Sequence, residues 1–463
     1  MKEVVEQTQS LPGRTVRAGR RAPWRVFAPH HGRPFAFFLD RADDAAWSFA
    51  GSSPSSQLIV APDRSVRLWE GERWRPVGLD PIVAIDAYVE ASAASAHSLP
   101  AGLDPRTALP RTVGYLAYEL GAAIERVPAA GPDPVQLPLA VLSTYDVVDA
   151  WSARGGTGRI EFDVAASHAV VPAWPEPARA PSRPRSEHEA LARYRRGFGR
   201  ILGAIRAGDI YQANLSRQLV FDFDEDPARA YARLRGRQPV PQGAYLDLGP
   251  TQLLSNSPEL FLRVHRESIE TRPIKGTRPR YATPSTDRRA IVELTSDPKE
   301  AAEHVMIVDL ERNDLGRVCA TGSVRVADYA RVESFATVHH LVSTVCGVLR
   351  EKSTLADLLR ATFPSGSITG APKIRSMEII AEVEAHARGV YTGAIGCFNG
   401  GRSLELSVAI RTAVVHDSRI HYSTGGGIVA DSRLASELEE TVTKARAFLD
   451  CLNGGIERLR ALA

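Results

Sequence analysis

Before residue 172 the apolar positions fall into short runs bounded by turn residues, as in Phe35–Leu39, Leu58–Ala61 and Val141–Val148, and these runs predict β-strands. One stretch near Ile82–Ala94 has helical spacing instead. The pattern breaks at 172–186, where Pro172, Pro175, Pro177, Pro181 and Pro184 are interspersed with Ala, Arg and Ser, the composition of an exposed linker or long surface loop. Ser186 and Glu189 then form an S-x-x-E capping box. Leu191, Tyr194, Phe198, Ile201, Leu202 and Ile205 follow at helical spacing, predicting a helix of about five turns that ends near Gly208. Further on, strands at Gly243–Leu248, Leu260–Val264 and Glu405–Val415 alternate with helices near 298–315, 353–361, 373–384 and 434–452. The expected class is α+β or mixed α/β, with a β-rich N-terminal region at 1–171, the loop at 172–186 and a region of alternating strands and helices at 187–463.

Charge changes this picture little. A net charge of +3, with arginines scattered among acids, gives no footprint for nucleic acid or an acidic membrane. Of the 57 basic residues only Lys2, Lys275, Lys299, Lys352, Lys373 and Lys444 are lysines, so each asks for a reason. Cys319, Cys346, Cys397 and Cys451 lie far apart without a CxxC, which reads as free thiols in a reducing compartment. The arginine-rich N-terminus develops no apolar h-region and no long apolar run follows, so the expectation is a soluble, cytoplasmic protein.

Two helices carry paired carboxylates. Asp297 as N-cap, Pro298 at the first position and Gly316 past the end frame one helix, on which Glu300 and Glu303 share a face with Ile307 and Leu310. Ala301, Val305 and Val308 occupy its other side, so it is expected to be largely buried, and buried carboxylates need a cation or a donor. The last helix repeats the spacing at Glu437 and Glu440 and adds Lys444. Its apolar stripe of Leu434, Leu438, Val442, Ala445 and Leu449 lies opposite, and by periodicity alone the glutamates read as a solvated face with an i,i+4 salt bridge. Gly366 to Lys373 does not satisfy the phosphate-loop pattern, because Ala371 and Pro372 separate Gly370 from Lys373. Gly425, Gly426 and Gly427 follow a strand and read either as an anion nest or as a flexible turn. His339 and His340 stand in an apolar context without a zinc-spaced partner and read as core histidines.

Taken together, Arg272-Pro273-Ile274-Lys275-Gly276-Thr277-Arg278, Asp309-Leu310-Glu311-Arg312-Asn313-Asp314-Leu315-Gly316, Gly366 to Lys373 and Gly425 to Lys444 resemble the anthranilate synthase and aminodeoxychorismate synthase component I family, in register over about 186–450. The resemblance implies a large composite chorismate-binding fold with mostly antiparallel sheets flanked by helices. Pro-Ile-Lys-Gly-Thr is typical of the aminodeoxychorismate branch, where the anthranilate enzymes usually carry alanine. Water-adding relatives place a lysine base where this chain has Gln212. The resemblance therefore implies conversion of chorismate and ammonia to 4-amino-4-deoxychorismate, with anthranilate synthase component I or an isochorismate synthase-like enzyme as the alternative.

In that reading Lys275 is a covalent nucleophile at ring C2 and Glu259 the acid that protonates the departing C4 oxygen. Glu303 and Glu440 hold Mg²⁺, with Glu300 and Glu437 close by. Gly425, Gly426 and Gly427 meet the ring carboxylate, and Tyr391 and Arg411 hold the enolpyruvyl carboxylate. Gly276, Thr277, His340 and Lys444 complete the pocket. No cysteine has a G-x-C-x-G setting, so ammonia from glutamine is expected to come from a glutamine amidotransferase partner.

Overall fold

The computed structural model describes residues 22–452 except 42–45, 72, 129, 164–186, 336 and 385. Two large antiparallel sheets stack on each other, which bears out the expected class. The first runs in the order Gly370–Ala371, Gln212–Asp222, Arg419–Ile428, Thr412–His416, Thr251–Ser257, Gln242–Asp247, Phe37–Asp40, Ser48–Gly51, Val147–Ser152, Gly156–Phe162, Ala96–Ser98. The second runs Ile274–Pro279, Val338–Val348, Ser268–Arg272, Leu260–His265, Ser403–Val408, Ala394–Phe398, Thr112–Leu116, Ala140–Thr144, Ser56–Val60, Val66–Glu70, Arg73–Val77, with Arg325–Ser334 also on Val338–Val348. The Pro-rich segment and Ser186 of the capping box lie outside the described residues. Strands from before and after that segment are interleaved in both sheets.

Alternation along each strand sorts side chains between two cores. Ile59, Val113, Tyr115 and Val141 point inward with Phe37, Leu39, Leu246 and Leu253 of the opposite sheet. Their neighbours Leu58, Val60, Leu116 and Leu142 point outward, against Ile82 and Ile85 of helix Pro81–Ser92 and Leu355 and Leu359 of helix Leu355–Thr362. Both faces are therefore covered, which is why these strands read as continuous apolar runs. The first sheet's outer face is covered by helices Pro227–Arg237 and Leu434–Leu449 through Tyr231, Leu234, Ala445 and Leu449. Helices Glu187–Arg206 and Lys373–Val383 cover its Gln212–Asp222 end.

One expected strand divides. Glu405–Val415 is split into Ser403–Val408 in the second sheet and Thr412–His416 in the first. The chain crosses between sheets at Ala409–Arg411, where Arg411 has a left-handed φ of 52°. Its neighbour crosses at the same level: Thr251–Ser257 lies in the first sheet, Leu260–His265 in the second, and Pro258-Glu259 is the corner. The corners are tied together, since Asn256 N donates to Arg411 O at 3.0 Å, Ser257 Oγ to Val408 O at 2.6 Å and Val408 N to Glu259 O at 3.1 Å.

Candidate functional site

The paired corners carry an acid, Glu259, and a cation, Arg411. Glu259 is buried, and burial raises its carboxyl above the ordinary range against the opposing pull of the Ser367 hydroxyl, Lys275 and Arg411. Burial also lowers the Arg411 pKa. Its Nη2 lies 3.4 Å from Nε2 of His340. A guanidinium only donates, so Nε2 accepts and Nδ1 carries the proton toward Thr277 Oγ1 (2.9 Å) and Gly276 O (3.2 Å). Burial, with Arg411 nearby, pushes the His340 pKa down to about 3 and keeps the ring neutral. His340 is thus both the expected core histidine and a wall of the site.

Lys275 stands on strand Ile274–Pro279, where pairing with Val338–Val348 slips by one residue between Lys275 and Thr277. Gly276 fills the slip with a φ of 72°, and a Cβ there would lie 2.7 Å from Leu294 Cδ1 and 3.2 Å from Glu300 Oε2. The irregularity turns Lys275 inward, so that Nζ donates to Ser367 O at 3.1 Å.

Opposite lie the carboxylates of the two acidic helices. Helix Pro298–Gly316 is capped by Asp297, whose side chain accepts from Lys299 N and Glu300 N. It is buried on one side only, through His304, Ile307, Val308, Glu311, Asp314 and Leu315. Val305 is 53% exposed, which corrects the expectation of a largely buried helix; among the described residues nothing is layered over its outer face. Glu303 lies 3.8 Å from Lys299 Nζ, and the same ammonium lies 3.9 Å from Glu437 of the last helix. Glu440 pairs with Lys444 at 2.6 Å, and Lys444 also donates to Gly425 O at 2.8 Å. The solvated-face reading fails for Glu437, which is 4% exposed, because the helix lays this residue onto the glycine strand. Burial raises the Glu303 and Glu437 carboxyls, and the neighbouring Glu440 charge adds to it. Glu440 stays 47% exposed in the expected i,i+4 pair with Lys444; desolvation acts the same way there, but Lys444, Lys275 and Lys299 outweigh it and hold the pKa below the ordinary value. Glu300 turns aside to Arg278 at 3.1 Å.

Gly425, Gly426 and Gly427 are neither a turn nor a left-handed nest. They lie inside strand Arg419–Ile428, paired with Ser216, Leu215 and Asn214. A Cβ on Gly426 would stand 3.2 Å from Glu440 Oε1 and 3.3 Å from Glu437 Oε2, so its bareness lets both carboxylates approach the strand. A Cβ on Gly427 would meet Gln212 Nε2 at 2.2 Å. Tyr391 is buried, and burial raises its hydroxyl pKa.

The donor set suits a hard divalent cation: Glu303, Glu437 and Glu440 are oxygen ligands, and two of them are poor anions without a counter-charge. Among the described residues no three acidic, histidine or cysteine side chains close around one metal-sized point. Lys299 and Lys444 hold the carboxylates instead, so substrate or water oxygens would have to complete the shell. Of the six lysines, Lys275, Lys299 and Lys444 thus serve this cluster, and Lys373 pairs with buried Asp314.

A third set of polar residues was not assigned by pattern. Glu311, quoted in the Asp309–Gly316 motif without a role, is 1% exposed and accepts from Ser365 Oγ at 3.0 Å. Ser365 Oγ lies 3.1 Å from Ser367 Oγ. The available signal was spacing: Glu311 follows Ile307 by one turn on the buried stripe.

The chorismate binding enzyme family matches residues 35–450. Anthranilate synthase component 1 of Mycobacterium tuberculosis is 34% identical, covering 91% of this chain and 88% of its own. The protein of the same name from Pseudomonas putida is 40% identical over 73% of each. The crystal structure of anthranilate synthase component I from Streptococcus pneumoniae superposes with a TM-score of 0.72 at 27% identity, covering 87% of this chain and 92% of that one. The menaquinone-specific isochorismate synthase of Escherichia coli shares the fold, with a TM-score of 0.67 at 16% identity over 98% of each chain. Relatives of one name at 34–40% identity overturn the expectation of an aminodeoxychorismate synthase acting through a Lys275 adduct. That expectation rested on a single lysine in one motif, whereas the likeness spreads over most of the chain: this chain belongs to the chorismate-binding enzyme family.

Proposed function

We infer that the protein is the ammonia-using component of an anthranilate synthase: it adds ammonia to C2 of chorismate, expels the C4 hydroxyl and releases the enolpyruvyl group as pyruvate. The observation that carries the chemistry is the buried Glu259 with two fixed cations, Lys275 and Arg411, within its electrostatic reach. A dianionic substrate with a poor leaving group needs cations for its carboxylates and a neutral acid for its hydroxyl. The named relatives select the product.

Burial keeps Glu259 protonated, and it gives that proton to the departing C4 oxygen. Arg411, oriented by neutral His340, and Tyr391 hold the enolpyruvyl carboxylate. The backbone of Gly425–Gly427 faces the ring carboxylate. Glu303, Glu437 and Glu440 would hold Mg²⁺, which when bound neutralises that carboxylate and withdraws electrons from the ring. Lys275, held by Ser367 O, acts as a fixed positive charge. Gln212, buried at the rear of the glycine strand, offers no base to activate water, which favours ammonia over a water-adding reaction.

The cysteines support a separate source of ammonia. Burial raises the Cys319 thiol to about 11 and the Cys397 thiol to about 12, the reverse of what a glutaminase nucleophile requires. A glutamine amidotransferase partner supplies it. The test is an incubation of the purified chain with chorismate, Mg²⁺ and an ammonium salt. Anthranilate and pyruvate in equal amounts support the reading, and unchanged chorismate refutes it.

A further inference from the structure

Behind the acid runs a closed line of hydroxyls. The Ser367 hydroxyl stands close enough to the Glu259 carboxyl to pull its pKa down, Ser367 Oγ lies 3.1 Å from Ser365 Oγ, and Ser365 Oγ donates to Glu311 Oε1 at 3.0 Å. All four side chains are at most 5% exposed. Ser367 N also donates to Ser365 Oγ at 3.3 Å, which fixes the first serine at the head of the Gly366–Ile368 turn. Glu311 Oε2 has no hydrogen-bond partner among the described residues, so the line ends at that carboxyl.

Each serine in such a line accepts one hydrogen bond and donates one. In one polarity Glu259 donates to Ser367, Ser367 to Ser365 and Ser365 to an ionised Glu311. In the other every bond is reversed, Glu311 carries the proton and Glu259 is ionised. Passage between them moves one proton from carboxyl to carboxyl and leaves both hydroxyls intact.

We propose that Glu311 and Glu259 share one proton through Ser365 and Ser367, making Glu311 the positioning residue that keeps the acid charged with its proton. The proposal rests on the reading of Glu259 as the acid given above. Two ionised carboxylates joined by hydroxyls in a dry site repel, so the pair retains a proton at a pH where a lone carboxyl would not. Where Glu311 holds the shared proton, it passes it along the line to Glu259 before the C4 oxygen departs; once Glu259 has given it up both carboxylates are ionised, and the proton shed by the added amine refills the pair. The charged groups facing Glu311 are Asp314, Lys373 and Glu259. Lys373 is already engaged by Asp314 and by Thr362 O, so it does not compensate Glu311 fully. Those facing Glu259 are Lys275, Arg411 and Glu311. Burial raises the Glu311 carboxyl to about 7, with Asp314 adding to it.

Two readouts separate this proposal from the proposed function. Infrared titration of the buried carboxyl bands in the substrate-free protein does not depend on turnover. In the wild type the Glu259 band should lose intensity above the ordinary glutamate range, coupled to Glu311. In Glu311→Gln it should titrate alone and at least one pH unit lower, since the like charge is gone. With active enzyme, the alkaline limb of kcat/KM for chorismate at constant free ammonia should move acid-ward by the same amount. Ser365→Ala keeps both charges but cuts the line, so kcat should fall several-fold with the limb near its wild-type place. A Glu259 band and an alkaline limb both unmoved in Glu311→Gln would overturn the sharing. Failure of the wild type to convert chorismate would instead overturn the proposed function, and the infrared titration would still decide the proposal.

Discussion

Glu259 must keep a proton at a pH where an exposed glutamate has lost it, and what permits this is its place at the Pro258 corner, sealed between two sheets. Glu259→Gln preserves shape and removes the proton, so kcat should fall by roughly 10²–10⁴-fold with the thermal midpoint little changed. Steady-state anthranilate fluorescence and a melting curve check this, and a near-wild-type rate would place the acid elsewhere. Lys275 now carries a different expectation. Without a covalent role, Lys275→Ala loses a charge-assisted contact of about 1.5–3 kcal/mol, so KM should rise roughly tenfold or more while anthranilate remains the product. At this scale the motifs name residues that the structure brings near one another, with Lys275 and Arg411 facing Glu259 and Arg411 against His340. Nothing in Pro-Ile-Lys-Gly-Thr reveals whether the lysine attacks or only holds charge. Glu311 stayed hidden because its partners, Ser365 and Ser367, lie over fifty residues away in the chain.

At the level of elements, the glycine strand and the last helix act as one unit. Gly426→Ala would put a methyl carbon 3.2–3.3 Å from the Glu440 and Glu437 carboxylates and push them off the strand. The fold should survive, while Mg²⁺ affinity, measured by calorimetry with chorismate present, should drop by about 10–100-fold. Affinity equal to wild type would remove these helices from the metal site. Helix Pro298–Gly316 was legible because its cap, proline and glycine are local signals. The burial of Glu437 was not, since periodicity within one helix does not show which face the strand beneath has cleared with glycines. Nor was the break in Glu405–Val415, because a strand that changes sheets keeps its apolar character on both sides and only the left-handed Arg411 marks the corner.

Element packing also sets a pH dependence. Burial raises Glu119 and Glu311 to about 7, so the folded chain binds their protons more tightly than the unfolded one. Their stabilising contribution is complete below about 4.5 and is lost as pH rises through about 7. The buried histidines His304 and His340 act in the opposite sense only below their ordinary value of about 6.5. Between pH 6.5 and 8 the acids therefore govern, and the denaturant midpoint should fall, with a limit of about 1.4 kcal/mol per pH unit for each group. A rising midpoint in that interval would show that the two carboxyls are ionised in the folded state.

For the whole molecule, the stacked sheets explain why the site lies where it does. Strands cross from one sheet to the other at Glu259 and at Arg411, while the helices bearing Glu303 and Glu440 pack on strands Ile274–Pro279 and Arg419–Ile428. Among the described residues no helix is long and apolar enough to span a membrane. The sequence pattern foretold strands and helices but not the interleaving of the two halves, because pairing partners hundreds of residues apart leave no local trace. Dependence on a second protein belongs to this scale. Glutamine should support turnover only when an amidotransferase is added, while ammonium salts suffice without it. Glutamine-dependent activity of the purified chain alone would contradict the separate source of ammonia. The most direct test of the account is where nitrogen goes. Chorismate, Mg²⁺ and ¹⁵N-ammonium are incubated with the purified chain and the product is read by NMR. Label is expected on the carbon next to the ring carboxylate, in anthranilate, with pyruvate released. Label at C4, in a product that keeps its enolpyruvyl group, would contradict it.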